Sequence, residues 1–132
     1  MRRRAPVLCL ALLEACAGSA VSEVPVPMGS WGGEGVELLV TASGATLNDL
    51  AGCFEASIQQ PFVMDSAGHF AVDGVYVNFP LGSRPGSSAP AHFSGFVAGS
   101  AMTLTIALSG NSQSWVFVLN HGARPSPPTR LC

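Results

Sequence analysis

No lysine occurs anywhere in the 132 residues, and charged side chains make up only 11% of them. Three of the six arginines sit in the first four positions, at Arg2, Arg3 and Arg4. Once residues 1–15 are set aside, Arg84, Arg124 and Arg130 face Glu23, Glu34, Glu37, Glu55, Asp49, Asp65 and Asp73, a net charge of −4. No basic patch remains, which argues against nucleic acid and acidic lipid surfaces as partners. Long apolar runs are missing too. Ala5–Leu13 is the main one, and it is too short to span a bilayer. The chain has no Gly-x-Ser-x-Gly elbow, no phosphate loop and no nicotinamide fingerprint. His69, His92 and His121 show neither His-x-His nor His-x-x-x-His spacing, and each neighbours a turn or strand end. Asp65 and Asp73 read as turn formers. No enzyme, no cofactor and no metal site is expected.

What the amino end does contain is an address. Met1–Arg4 is a basic region, Ala5–Leu13 an apolar stretch, and Ala15-Cys16-Ala17 a small-x-small cleavage site. Leu13-Glu14-Ala15-Cys16 also fits a lipoprotein box, apart from Glu14, with lipid on Cys16. Residues 1–17 are therefore a signal peptide or lipoprotein leader. The protein is expected to be exported, either secreted or periplasmic, or lipid-anchored to the envelope through Cys16 alone. Residues 18–28 carry prolines at alternate positions, Pro25 and Pro27, which forbid helix and favour an extended tether. Residues 29–132 form one domain. Cys53 and Cys132 stay in the mature body and meet an oxidising compartment, so a disulfide is expected. Two buried free thiols, or a metal site, are the other readings, the last weakened by the lack of a second ligand at zinc spacing.

The most regular stretch is Ala91–Asn120, three β-runs separated by two turns. Gly99-Ser100 fits a two-residue type II′ turn. That turn pairs Ala98 with Ala101, Val97 with Met102, Gly95 with Leu104 and Phe93 with Ile106. Phe93, Gly95, Val97, Met102, Leu104, Ile106 and Leu108 then share one face, to be buried. Ser94, Phe96, Ala98, Thr103, Thr105 and Ala107 share the other. Gly95 within a strand marks a bend or bulge.

Upstream, Glu34–Ala42 alternates as a first strand, with a turn at Ser43-Gly44. Two readings are open for residues 46–58. Leu47, Leu50, Ala51, Phe54 and Ile58 recur at helical spacing behind an N-capping Thr46. A strand over Ala45–Leu50 followed by a cysteine loop fits the hairpin turn better. Ser57–Met64 is a third strand, broken or placed at an edge by Pro61. Asp65–Gly68 is a type I turn, His69–Phe79 a fourth strand, Pro80–Pro90 a loop, and Thr129–Cys132 an eighth run. Seven or eight short strands mean an all-β barrel or sandwich, and a mature chain of this size buries about two-thirds of its unfolded surface.

Gly29-Ser30-Trp31 before the first strand resembles the Gly-x-Trp start of calycin barrels, the lipocalin and avidin group. Phe93-Ser94-Gly95 through Gly99 to Met102-Thr103-Leu104-Thr105 resembles their late strands. Residues 29–132 as a whole are similar to a group of small uncharacterised exported bacterial proteins. Their pattern corresponds here to Gly29–Gly33, Ser43–Leu47, Cys53, Asp65–Phe70 and Cys132. The chain departs from it around Asn48–Phe54 and Asn78–Ala89. The resemblance implies an antiparallel up-and-down barrel of about eight strands. In such a meander, Cys53 after strand two and Cys132 ending strand eight reach one rim, about two strand spacings or roughly 10 Å apart. The loop and the free chain end make up the remainder. Trp31 is then expected to cap the barrel at that rim, beside the bridge.

Trp31, Trp115, Phe93, Phe96, Phe117 and Tyr76 serve a core or a ligand cavity. Phe93, Met102, Leu104, Ile106, Trp115 and Phe117 are the candidate cavity residues. An eight-stranded barrel is just wide enough either to be filled or to hold one small ligand. The function expected is a binding module for a small apolar ligand or a protein partner. The alternative is a secreted protease inhibitor, a role calycin-like barrels can host, using the tether Ser22–Met28. A cavity of several hundred cubic ångströms favours the ligand; a filled barrel with an ordered tether favours the inhibitor.

Overall fold

The computed structural model describes residues 22–80, 85–129 and 132, so the leader, Cys16 and Arg84 lie outside the described residues. The described residues hold ten strands and no helix: β1 Val24–Pro25, β2 Gly29–Gly32, β3 Val36–Thr41, β4 Gly44–Asp49, β5 Phe54–Ile58, β6 Val63–Met64, β7 His69–Asn78, β8 Ser88–Ala98, β9 Ala101–Leu108 and β10 Ser114–His121. Eight of them close into an antiparallel barrel in the order β10-β2-β3-β4-β5-β7-β8-β9. Neighbours in sequence are neighbours in the sheet, which is the up-and-down meander expected. β1 and β6 form a separate two-stranded ribbon.

The β8–β9 ribbon has the register that its turn dictates: Ala98 opposite Ala101, Val97 opposite Met102, Gly95 opposite Leu104, Phe93 opposite Ile106. Gly99 carries the positive φ, 60°, that the turn requires. Phe93, Met102, Leu104 and Ile106 are at most 1% exposed, while Thr103 and Thr105 are half-buried on the outside. A Cβ on Gly95 would collide with the Thr103 carbonyl and crowd the Phe70 ring. The glycine is what lets Phe70, its partner on β7, cross into the interior where the sheet curls. Trp31, Leu38, Leu47, Met102, Leu104, Ile106 and Leu119 complete a dry interior, with no buried polar side chain among the described residues. Each such side chain contributes roughly 1.5–3 kcal/mol when taken out of water.

The barrel has the eight strands expected, but one of them is not the segment expected. Thr129–Cys132 is not a strand: Thr129 is a bend, Cys132 has no ladder partner, and residues 130–131 lie outside the described residues. The eighth barrel strand is instead β2, in the glycine-rich Gly29–Gly33 segment. It shows no apolar alternation because Gly32 packs under the backbone of Ala123 and Arg124, where no side chain fits. Residues 46–58 are strand, turn and strand, not helix; Ala45 pairs with Ile58 across β4–β5. The third strand ends at Ile58. Val63–Met64 leaves the barrel to pair with Val24–Pro25, and Pro61 lies in the break between them. β8 starts at Ser88, so part of the expected loop is strand.

The segment read as a tether is bound from Val24 onward. Val26 is 1% exposed, and its N–H donates to Phe62 O at 2.9 Å. The Trp31 indole N–H donates to Pro27 O, also at 2.9 Å. β1 and β6 thus plug the barrel end that carries the Thr41–Gly44 and Ala98–Ala101 turns. The Cys53–Cys132 disulfide closes at the opposite end, with Cα atoms 5.3 Å apart. Trp31 is therefore not beside the bridge. The tail from Gly122 runs back along Gly33 and Gly35, pairing through Ser126, and carries Cys132 the length of the barrel.

Candidate functional site

The bridge end is built from strand ends whose inward positions are aromatic. Inward alternation along β10 gives Trp115, Phe117 and Leu119; Ser114, Val116 and Val118 point out. β5 opens with Phe54, and β7 places Tyr76 two residues before its end. These four rings meet. Tyr76 and Trp115 stack with centroids 5.1 Å apart at 7°. Phe54 lies 5.4 Å from Tyr76, 6.1 Å from Phe117 and 6.5 Å from Trp115. Such offset stacks add about 0.5–1.5 kcal/mol per pair beyond area burial. All four are only partly buried and rest on the filled core.

A hollow of about 260 Å³ opens beside them, lined by Glu34, Val36, Asp49, Phe54, Trp115 and Phe117 among others. It exists because β2 meets β10 at only two register pairs, Asn120 with Gly32 and His121 with Trp31. Beyond Gly33 the β2 backbone turns to the tail instead. Asp49 closes the floor of the next loop. Its Oδ2 accepts the Cys53 N–H at 2.9 Å, and its Oδ1 accepts the Ala51 N–H at 3.4 Å. The Tyr76 phenol is raised above its ordinary pKa, first by burial and then by the Asp49 charge.

The candidate cavity residues divide between two places. Phe93, Met102, Leu104 and Ile106 lie inside the filled core, where no hollow reaches them. Trp115 and Phe117 stand at the mouth. Phe96 is on the outer face, 44% exposed. Tyr76 joins the mouth, and Phe54 joins it unforeseen. The alternation Phe54, Ala56, Ile58 is the signal that finds Phe54, but helical spacing in the same residues obscured it.

The histidines do not converge. His92 Nδ1 sits 2.9 Å from Asp73 Oδ1 on the outer surface, His69 beside Asp65, and His121 against Met28 O and the Trp31 ring. Among the described residues one group has metal-ligand spacing, Asp49 with Cys53 and Cys132. Its two sulfurs are bonded to each other and offer no thiolate. Compared with known proteins, the chain matches no family model, no curated protein and no solved structure.

Proposed function

We propose that this protein is a small exported β-barrel of the group described above, acting as a binding module. Its site is the bridge-end mouth, which takes a small apolar ligand or the apolar side chain of a partner protein. One observation carries this reading: four aromatic rings stack half-exposed at one mouth, above an interior already full. Binding is then shallow, over ring faces, with the carboxylates of Glu34 and Asp49 at the rim. No residue set for catalysis is assigned. The neutral dye Nile red tests the reading. Its fluorescence should rise with the wild type and fail to rise with Phe54→Ala and Trp115→Ala; an unchanged response in both variants overturns the mouth as the site.

The inhibitor reading draws on the full interior and the ordered strap Val24–Met28, which leaves Val24 and Met28 exposed. Mixing the exported chain with subtilisin and chymotrypsin decides it: undiminished hydrolysis by both removes this alternative. Export and anchoring are proposed from the leader. Cys16→Ser should move the protein from the membrane to the soluble fraction if lipid holds it there; wild type already soluble leaves plain secretion.

A further inference from the structure

The turn from Asp49 to Cys53 brings three metal-binding atoms together. A carboxylate oxygen of Asp49 and the sulfurs of Cys53 and Cys132 all lie within 4.8 Å of one another. Asp49 ends β4, Cys53 precedes β5, and Cys132 arrives on the tail. The turn is fixed by its own backbone. Gly52 supplies a positive φ of 76°, and its N–H donates to Asp49 O at 2.9 Å. Leu50 N–H donates to Gly35 O and Phe79 N–H to Cys53 O, both at 2.8 Å, which pins each end of the turn to a neighbouring segment. Cys53 N–H donates to Asp49 Oδ2 at 2.9 Å, and the carboxylate keeps lone pairs for another partner. Cys132 Sγ rests 3.3 Å from Ala51 O, over the same turn. Cysteine spacing hid this set, because the acid stands four residues before Cys53 and the second sulfur 79 residues after it. Residues 81–84 and 130–131 carry no imidazole, thiol or carboxylate side chain, so the donor set does not depend on where they lie.

We propose that Asp49, Cys53 and Cys132 bind zinc or another thiophilic divalent cation whenever the bridge is reduced, so that metal and disulfide are alternative clasps for the tail. The inference goes beyond the mouth as a binding site and does not rest on it. Reduction by a dithiol breaks the S–S bond. The dithiol gives up two electrons and two protons, closes into its own disulfide, and leaves two thiols on the protein. The cation then replaces both thiol protons, which pass to solvent. Bonds of about 2.3 Å to sulfur and about 2.0–2.2 Å to a carboxylate oxygen set the ligand atoms roughly 3.5 Å apart. With Cα atoms 5.3 Å apart, rotation about the Cα–Cβ bonds parts the sulfurs to that distance. Two thiolates select a zinc-like cation over magnesium or calcium, which take oxygen ligands. Asp49 is the third ligand, and its bond from the Cys53 N–H orients it as outer-shell contacts orient the ligands of metal sites.

Cobalt(II) is the probe. The full chain is reduced in urea with a water-soluble phosphine, refolded by dilution under nitrogen, and titrated with the metal. One cobalt should bind per chain, giving thiolate-to-cobalt charge-transfer absorption and the strong visible bands of a four-coordinate ion, and zinc should bleach both. Cobalt should also raise the melting temperature of the reduced chain and leave that of the oxidised chain unmoved. Asp49→Asn keeps an oxygen for the Cys53 N–H but loses the anionic ligand. Its cobalt affinity should fall at least about tenfold, the cost of losing even an outer-shell contact. Cys53→Ser should weaken the charge-transfer band and the affinity further. No such band in the reduced wild type, equal affinity in Asp49→Asn, or one cobalt shared between two chains would each overturn the proposal. So would a reduced chain that stays unfolded in the presence of cobalt.

Discussion

The two ends of this barrel use aromatic residues in opposite ways. At the plugged end Trp31 is fully buried, its N–H is satisfied by Pro27, and Phe62 packs edge-on to Phe70 at 4.8 Å. At the bridge end Phe54, Tyr76, Trp115 and Phe117 stack on one another and are only partly buried. The covering element makes the difference. One end has a ribbon, β1–β6, laid across it. The other has a tail held to the side by a disulfide, with a hollow left between. Aromatic residues there are left partly uncovered. The plugged end does retain an apolar groove of about 410 Å³, between the strap and Phe62. Val26 and Phe62 on its wall belong to the core, whereas Met28 on the same wall is exposed.

Substitutions should therefore cost stability at one end and binding at the other. The largest loss is expected at the bridge. Cys53→Ser with Cys132→Ser frees a chain separation of 79 residues, about 4–5 kcal/mol in the chain-entropy account, read from chemical denaturation. Trp31→Ala should cost about 3–5 kcal/mol through the cavity it leaves, while Nile red binding per folded molecule stays unchanged. A stable Trp31→Ala would break the comparison, for the plug would then not be structural. Leu104→Ala, from the fully buried row, should cost roughly 2–5 kcal/mol. Trp115→Ala should cost roughly 2–3 kcal/mol, the loss of two stacks and of part of its buried area, yet lose the dye.

The smallest effect is a pH dependence. Tyr76 has a raised folded pKa, so the folded state holds its proton more tightly than the unfolded chain does. Stability from this source is complete below the unfolded value near pH 10 and declines as pH rises through the folded one. Tyr76→Phe should flatten that alkaline decline in thermal melts; an identical decline in the variant would show that burial of Tyr76 does not cause it.

The β8–β9 ribbon was legible because alternation and turn chemistry agree there, from Phe93 to Leu108. Gly95 was legible as a bend. The opening strand was not, because Gly29, Gly32 and Gly33 carry no pattern: Gly29 is fixed by a positive φ, Gly32 and Gly33 by close neighbours. The same blindness made Thr129–Cys132 look like the closing strand and put Trp31 at the wrong end. The bridge was still anticipated, since the tail brings Cys132 to Cys53 by another route. At the mouth, Trp115 and Phe117 were visible from the β10 alternation. Phe54 was hidden, because Leu47, Leu50, Ala51, Phe54 and Ile58 satisfy a helical period as well as two short strands.

Amide chemical-shift mapping of the exported chain titrated with Nile red tests the central contrast most directly. The account predicts shifts clustered at Phe54, Tyr76, Trp115 and Phe117, with Val26, Trp31 and Phe62 unmoved. Shifts centred on Val26 and Phe62, or none at the four mouth aromatics, would contradict it.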